Sequence, residues 1–277
     1  MEKSKGWLIT LLGLVVVTLV SGCASDSWLG TSDQEEVVEG KRVAVLEADP
    51  ILTPDAAVVD KQVIVPDSED VNVWSRSQGY HYTLPGNIAI EQPKNIISNV
   101  SIGDSLDPYY LSNAPIVVGE FVYTIDAQGL VKALNHKNKM KRLWEYQIEI
   151  DEDEAGNFTN AGMNYNQGVL YITSGYDKVL ALDATSGKLL WIRNINSIAR
   201  SSPSVINGML MVNTIDNRLY ALDASDGGLV WTHSGIVSDV SMFGSTAPVA
   251  RGDIVFVPYS SGEIYAIHVD SGRTIWS

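Results

Sequence analysis

The sequence predicts an all-β protein of the β-propeller class. The main observation is a repeated line of eleven residues that begins Ala-Leu-Asp, continues through a turn with a glycine, and ends in tryptophan. It stands at 181–191 and 221–231, and in a variant form at 266–276. A glycine and a run of β-forming residues precede each copy, so one unit holds four short strands in about 40–45 residues. Four strands at this period are typical of one propeller blade.

Three positions of the repeated line have a structural explanation. The aspartate can open the turn because its carboxylate accepts hydrogen bonds from nearby backbone amides. The glycine supplies the backbone freedom that the turn needs, and the tryptophan buries a large ring on the outer strand. Since they recur at one fixed point of each unit, we interpret them as blade-building residues, with the tryptophan as a plug between blades rather than a stacking platform. They are Asp183, Gly187, Trp191, Asp223, Gly227, Trp231, Gly272 and Trp276.

The units divide residues 71–277 into a partial propeller. Four blades are predicted, at about 114–150, 161–197, 203–235 and 247–277. The first copy of the repeated line is looser, one residue longer and without the glycine. Segments 71–74 and 96–102 also predict strands, and we expect 96–102 to complete the final blade of a closed ring. The chain stops in mid-strand at Trp276, which favours a longer protein over a closed four-bladed ring.

Composition excludes several classes of function. The 277 residues hold 33 acidic and 19 basic side chains, which gives a net charge of −14. This charge argues against nucleic-acid binding, which depends on cationic contacts to phosphate, and against a polybasic membrane patch. The one cysteine, Cys23, excludes a disulfide framework and a cysteine metal cluster.

The N-terminus predicts a lipoprotein signal peptide at residues 1–22. An apolar run at 8–20 follows two lysines and is short for a membrane span. It leads into Val-Ser-Gly-Cys, which resembles the bacterial lipobox, so Cys23 is the predicted site of lipidation by palmitate or similar acyl chains. The alternative is an ordinary signal peptide or membrane anchor with an incidental cysteine. Ala24, where inner-membrane lipoproteins often carry aspartate, favours the outer membrane.

Residues 23–70 predict an acidic lipidated tether. They contain 12 acidic and 3 basic side chains with scattered prolines, a composition that favours little packed structure. Two apolar patches, at 43–46 and 63–66, interrupt the tether. We expect these patches to lie on the folded body as isolated strands.

No motif in the chain predicts catalysis or metal binding. The sequence has no G-x-S-x-G elbow, P-loop or dinucleotide fingerprint, and its four histidines form no metal-binding pair. The acidic run around Asp151 and Asp153 is similar to a calcium loop but fails at that loop's fifth and twelfth positions, Ala155 and Gly162. We therefore predict a solvated loop there, and no catalytic residue, cofactor or metal.

The connection between the third and fourth blades is unusual for a loop. Val240, Met242 and Phe243 are apolar where polar residues are expected, and an exposed apolar cluster marks an interaction site. The alternative is that Met242 and Phe243 fold back between the blades. We take Val240, Met242, Phe243 and Gly244 as candidate partner-binding residues, with both arrangements open.

The repeat Ala-Leu-Asp-x-x-x-Gly-x-x-x-Trp resembles that of pyrroloquinoline-quinone (PQQ) enzymes and their non-catalytic relatives. The lipobox, the acidic tether with Gly-Lys-Arg-Val at 40–43, and Ser-Ile-Gly-Asp at 101–104 narrow this resemblance. Together they are similar to the BamB family of outer-membrane lipoproteins over essentially the whole chain. The resemblance implies a periplasmic propeller of eight PQQ-like or WD-like four-stranded blades, about half of which are present here.

The resemblance also implies a role and partners. Members of the family are non-enzymatic scaffold subunits of the outer-membrane β-barrel assembly complex, and they bind the POTRA domains of its BamA-like barrel-forming subunit. Nascent outer-membrane proteins are a further candidate partner. A contact loop of the family reads Leu-x-Leu-Arg-Gly-x-x-Ala-Pro and corresponds here to Val240, Met242, Phe243, Gly244, Ala247 and Pro248. Phe243 replaces the family arginine, so an ion pair made by that arginine would be absent.

Two other functions fit the repeat. A PQQ-dependent quinoprotein dehydrogenase of this fold often carries adjacent cysteines over the cofactor, together with calcium and a catalytic aspartate. The single cysteine, already assigned to the lipobox, counts against this class. A general periplasmic interaction propeller with another partner is the third hypothesis.

Overall fold

The computed structural model describes residues 61–76, 86–90, 96, 98–103, 114–149, 161–238 and 246–277. The chain divides into two compact units, Met1–Val63 and Ile64–Ser277, and nearly all described residues belong to the second. The predicted signal peptide, Cys23 and the calcium-like loop lie outside the described residues. So do the candidate partner-binding residues Val240, Met242, Phe243 and Gly244. In the part that is described, no helix is long and apolar enough to cross a membrane.

The described residues form four antiparallel sheets, one for each repeat unit, and these sheets are the blades. Blade 1 contains β1 (Val73–Trp74), β2 (Ile116–Val118), β3 (Phe121–Ile125), β4 (Leu130–Asn135) and β5 (Lys141–Gln147). Blade 2 contains β6 (Gly162–Asn166), β7 (Val169–Thr173), β8 (Lys178–Asp183) and β9 (Leu189–Asn194). Blade 3 contains β10 (Ser204–Ile206), β11 (Met209–Asn213), β12 (Arg218–Asp223) and β13 (Leu229–Ser234). Blade 4 contains β14 (Val249–Arg251), β15 (Ile254–Pro258), β16 (Ile264–His268) and β17 (Thr274–Trp276).

The predicted fold class, an all-β propeller, is confirmed. In each blade the strands pair in chain order, which is the meander that short hairpin turns produce. The middle strands β7 and β8 are buried along almost their whole length, because neighbouring blades cover both of their faces.

The same irregularity recurs in each blade between the third and fourth strands. A register shift follows the alanine that pairs with the tryptophan, as at Ala181 opposite Trp191 and at Ala221 opposite Trp231. Blades 1 and 4 repeat it. A bulge of this kind bends the strand and re-aims a side chain. The small alanine leaves room on the sheet for the large ring opposite.

Blade 1 contains a strand that lies outside its predicted bounds of about 114–150. Val73 and Trp74 pair with Val118 and Val117, so the 71–74 segment supplies β1 and makes this sheet five-stranded. The described residues of 96–102 contain no strand, and Ile96 is 88% exposed, so the strand predicted for this segment is wrong. The expected isolated strand at 63–66 is also absent, because these residues are exposed and unpaired with any strand.

The hydrophobic core lies between the blades rather than within one of them. One cluster joins blades 1 and 2 around Ile116 and Leu170. A second joins blades 2 and 3 around Val179 and Leu210, and a third joins blades 3 and 4. Full burial of one such side chain contributes about 1.5–3 kcal/mol. Each blade is therefore stabilised mainly by its neighbours.

Candidate functional site

The repeated tryptophans of blades 1, 2 and 3 each contact the next blade. The indole Nε1 of Trp144 donates a hydrogen bond to the carbonyl of Ala184 at 3.0 Å. Trp191 makes the same bond to Ala224 at 3.0 Å, and Trp231 makes it to Val269 at 2.8 Å. The acceptor is always the residue that follows the third strand of the neighbouring blade. We call this contact the tryptophan link.

The repeated glycines lie directly beneath these rings. Gly187, Gly227 and Gly272 have φ values of 73°, 74° and 68°, in the left-handed region that favours glycine. A Cβ at Gly187 would lie 2.6 Å from the Trp144 ring, and one at Gly227 or Gly272 would lie 2.7 Å from the ring of the preceding blade. Backbone conformation and space therefore both require glycine at this point.

The repeated aspartates are occupied by their own turns. Asp183 Oδ1 accepts bonds from the amide and hydroxyl of Ser186, and Asp223 Oδ1 accepts both from Ser225. These hydroxyl and amide donors lower the pKa of both carboxyls. Asp223 is exposed and Asp183 is partly exposed, and the geometry of both carboxylates fits turn formation rather than proton transfer.

The last repeated tryptophan, Trp276, stands opposite Ala266 like its counterparts. It is half-exposed and lies against Phe256, with ring centroids 6.1 Å apart. Trp191 lies against Tyr171 in the same way at 6.1 Å. Tyr171 adds a hydroxyl bond of 3.2 Å to the carbonyl that Trp191 also binds, a contact that the repeat pattern did not predict.

The opposite end of the strands carries the connections between blades, and one of them is held by Asn217. This side chain is 1% exposed, and its Nδ2 donates to the carbonyl of Ile236 at 2.7 Å and to the Ser261 hydroxyl at 3.1 Å. Its Oδ1 accepts the amide of Ser260 at 2.9 Å, and its carbonyl accepts the amide of Gly235 at 2.8 Å. Asn217 therefore ties the start of the blade 3–4 connection to a turn of blade 4.

The described stem of this connection exposes apolar side chains. Ile236 is 61% exposed and Val237 is 83% exposed, immediately before the predicted partner-binding loop. At the other end of the loop, Ala247 is buried. The stem thus presents two hydrophobic side chains from a backbone that Asn217 holds in place.

A cluster of side chains around His233, which we call the His233 cluster, lies beside this stem, between blades 3 and 4. His233 Nδ1 is 2.8 Å from the Tyr259 hydroxyl, and its Nε2 is 3.0 Å from the Thr274 hydroxyl. Tyr259 stacks on the imidazole and Tyr265 meets it edge-on. Burial lowers the pKa of His233, so the neutral ring is favoured. Gly235 leaves room for Tyr259, since a Cβ there would lie 2.4 Å from the Tyr259 ring.

Among the described residues, no group of three or more His, Cys, Asp or Glu side chains could hold a metal ion. An open groove of about 870 Å³ lies between blades 2 and 3, with Gln167, Asn207, Leu190 and Val230 among its lining residues. Its one carboxylate is Asp223, which its own turn occupies.

Comparison with known proteins identifies the family. A sequence profile described as outer membrane protein assembly factor BamB matches residues 127–277. The protein of that name from Salmonella typhimurium is 31% identical over 181 residues, which are 64% of this chain and 46% of the relative. An uncharacterized protein of Rickettsia prowazekii is 30% identical over 165 residues, 59% of this chain and 39% of the relative. The chain spans less than half the length of the curated relatives it matches.

Solved structures share the fold. BamB from Moraxella catarrhalis has a TM-score of 0.53 at 22% identity over 62% of this chain and 49% of its own. A europium-containing methanol dehydrogenase has a TM-score of 0.56 at 18% identity, over 74% of this chain and 48% of its own. The fold therefore occurs in assembly factors and in dehydrogenases, and does not separate them. The profile covers more than half of the sequence, and this chain therefore belongs to the BamB family of PQQ-repeat β-propeller proteins.

Proposed function

We propose that this chain is a non-enzymatic subunit of an outer-membrane β-barrel assembly complex, attached to the membrane by a lipid on Cys23 and facing the periplasm. The observation that carries the proposal is the match of residues 127–277 to the profile of outer membrane protein assembly factor BamB. The proposed partner is a BamA-like barrel-forming subunit, contacted through its POTRA domains. Nascent outer-membrane proteins are a second proposed partner.

The blade 3–4 connection is the proposed contact surface. Its stem exposes Ile236 and Val237, and Asn217 holds the backbone that carries them. A contact that is already ordered loses less entropy on binding than a mobile one does. The adjoining Val240, Met242, Phe243 and Gly244 extend the proposed contact by an apolar rather than an ionic segment, because Phe243 stands where the family has arginine.

A binding experiment with matched variants tests this surface. Purified POTRA domains of the barrel-forming subunit are titrated with the full chain, with Val237→Asp, and with Phe243→Asp. Each variant should bind at least tenfold more weakly, because a carboxylate at an apolar contact loses its hydration on binding. The control is Val230→Asp, which is half-exposed on the outer strand of the same blade near its other end. Its affinity should match that of the wild type.

Two results would count against the proposal. Wild-type affinity in both Val237→Asp and Phe243→Asp would remove the connection from the contact. No binding by the wild-type chain would favour a general periplasmic propeller with another partner.

A quinoprotein dehydrogenase is the competing function, because the fold resembles that of a methanol dehydrogenase. The single cysteine counts against it, because such enzymes often carry adjacent cysteines over the cofactor and Cys23 is assigned to the lipobox. Adding PQQ and calcium and following dye reduction with alcohols separates the two functions. Turnover above the rate without protein would overturn the scaffold proposal.

A further inference from the structure

Blade 1 departs from the other blades at the turn between its third and fourth strands. In blades 2, 3 and 4 this turn contains the repeated glycine. It carries one cation in blade 2, Lys188, one in blade 4, Arg273, and none in blade 3. In blade 1 a 3₁₀ turn, His136–Asn138, replaces it. Residues 136–142, which we call the basic turn, contain Lys137, Lys139, Lys141 and Arg142 and no acidic side chain.

The backbone of the basic turn is fixed by local contacts. The Asn135 side chain accepts the amide of Asn138 at 3.0 Å, and His136 Nε2 lies 2.9 Å from the carbonyl of Gly119. Lys139 and Met140 have φ values of 48° and 58°, a conformation that costs non-glycine residues free energy. Surrounding contacts are needed to hold such residues in place. The cations therefore extend from an ordered base.

The basic turn carries more cations than its acidic contacts can neutralise. These contacts are Glu145, which pairs with Arg142 at 2.5 Å, and Glu120, whose Oε2 accepts a hydrogen bond from Asn135 Nδ2 at 2.8 Å. The four cationic residues of the turn are all exposed. Lys137, Lys139 and Lys141 form no ion pair with any described residue. The net charge of the whole chain, −14, does not set the electrostatic potential at the basic turn, because charges more than about 10 Å away are largely screened at physiological salt.

An apolar side chain adjoins the cations. Leu143 is 44% exposed and follows Lys141 and Arg142 on β5. Cations beside an exposed leucine suit the boundary between lipid headgroups and acyl chains, where lysine stems lie along apolar surface and their ammonium groups reach the headgroups.

The basic turn and the proposed partner contact lie at opposite ends of the strands. The basic turn joins the end of β4 to the start of β5, whereas the blade 3–4 connection begins where β13 ends. Along each fourth strand the chain runs from the turn end to the connection end. Occupation of one end therefore leaves the other accessible.

We propose that the basic turn contacts the anionic phospholipid headgroups of the membrane to which the chain is attached. Charge complementarity supports this choice, because each cation near such a surface strengthens binding by about fivefold, or about 1 kcal/mol. The choice of a membrane rests on the attachment at Cys23 proposed above. An acidic polypeptide segment is the other anionic partner that the test must separate.

Amine footprinting of the full chain tests the contact. The rates of lysine acetylation are measured by mass spectrometry with vesicles of phosphatidylcholine alone and with vesicles that also contain phosphatidylglycerol. Lys137, Lys139 and Lys141 should react about fivefold more slowly on the anionic vesicles only, because an anionic surface holds each cation with a free energy that corresponds to about a fivefold preference. High salt should abolish the protection. Lys188, in the corresponding turn of blade 2, is the internal reference and should keep its rate.

A double variant supplies an independent measurement. Lys137→Gln with Lys141→Gln removes two exposed cations and should lower the preference for anionic over neutral vesicles by about 25-fold, fivefold for each cation. Lys188→Gln with Arg273→Gln removes one exposed cation from each of two other turns and should leave the preference unchanged. Circular dichroism checks that both variants fold.

Three results would overturn the proposal. These are equal acetylation rates on the two kinds of vesicle, an unchanged vesicle preference in the double variant, and protection by a soluble polyglutamate peptide without protection by anionic vesicles. The last result would assign the basic turn to an acidic polypeptide. None of the three involves the POTRA domains, so failure here is distinguishable from failure of the proposed partner contact.

Discussion

The two ends of the strands in this propeller follow different rules. At the turn end, the three blade interfaces repeat one contact, the tryptophan link over a glycine. At the connection end, the contacts between blades 2 and 3 differ from those between blades 3 and 4. Blades 2 and 3 meet there through Ser197 and Asp216, whereas blades 3 and 4 meet through Asn217 and the His233 cluster. The turn end holds neighbouring blades together in a constant way, so residues at the connection end can vary without loss of that contact.

The interfaces at the turn end also differ in the number of side-chain donors that bind the carbonyl of the tryptophan link. Between blades 2 and 3, Tyr171 and Trp191 both donate to Ala224. Between blades 3 and 4, Met211 stands at the position of Tyr171 and has no hydroxyl, so Trp231 alone supplies the corresponding bond from these two positions. Substitutions at the two interfaces can therefore separate the effect of the tryptophan bond, which both have, from the effect of the tyrosine bond, which only one of the two has.

The largest effect is expected from Gly227→Ala. The new methyl would lie 2.7 Å from the Trp191 ring and would also occupy a left-handed backbone conformation. We expect a loss of about 2–4 kcal/mol in the free energy of unfolding, measured by urea denaturation. Gly168→Ala is the control, since its φ of 86° is similar but nothing lies within 4 Å of the new methyl. Equal losses in the two variants would mean that the ring contact is not what requires glycine.

An intermediate effect is expected from Trp231→Phe. This variant leaves the carbonyl of Val269 without its indole donor and should cost about 1–3 kcal/mol, since a buried acceptor is left unpaired. Tyr171→Phe removes one of two donors to Ala224 and should cost less than about 1 kcal/mol. The order of the two urea midpoints checks this difference. A larger cost for Tyr171→Phe would show that the tryptophan link is the minor contact.

The smallest effect is a pH dependence confined to the connection end. Burial lowers the pKa of His233 below its ordinary value of 6.5, so the unfolded chain binds that proton more readily than the folded chain does. Its stabilising contribution is present above pH 6.5 and is lost as the pH falls through the folded pKa. The melting temperature of His233→Gln should therefore fall less than that of the wild type between neutral and mildly acidic pH. An unchanged slope in His233→Gln would contradict the assignment.

The fold class could be predicted because every repeat unit carries the residues that form the contact between blades. Trp191 and Gly227 recur at fixed spacing, and a spacing of about 40–45 residues with four strands admits few architectures besides a propeller. The contact of Trp191 with the turn that contains Gly227 was not visible in the sequence, because the tryptophan of one unit binds the turn of the next unit. The pattern indicated a plug between blades without showing which carbonyl the indole would reach.

The connection end could not be predicted in the same way. Asn217 binds Ser260 and Ser261, which are 43 and 44 residues away, and no local pattern announces such a pair. The signals that could have found the His233 cluster are an aromatic residue, Tyr259, where blades 2 and 3 have Ser174 and Thr214, and a histidine two positions after the tryptophan.

The inner strand of blade 1 shows a second limit of sequence reasoning. Segment 71–74 is rich in β-forming residues, but β propensity does not say which sheet such a strand joins. The answer depends on which free edge the segment reaches, which here is the edge of β2. Pairing of Val73 with Val118 is extended by a bond from the Gly119 amide to the carbonyl of Asn72. This geometry is a tertiary property, which propensity does not contain.

The tryptophan link has a consequence for how such an array can evolve. Each unit carries both a donor for the unit after it and a receiving turn for the unit before it, as blade 3 does with Trp231 and Ala224. A gene segment that encodes one unit can therefore be duplicated in tandem, and the new copy meets a compatible neighbour on each side without any new mutation. Selection can then alter the connection loops of one copy independently, since units contact only their neighbours.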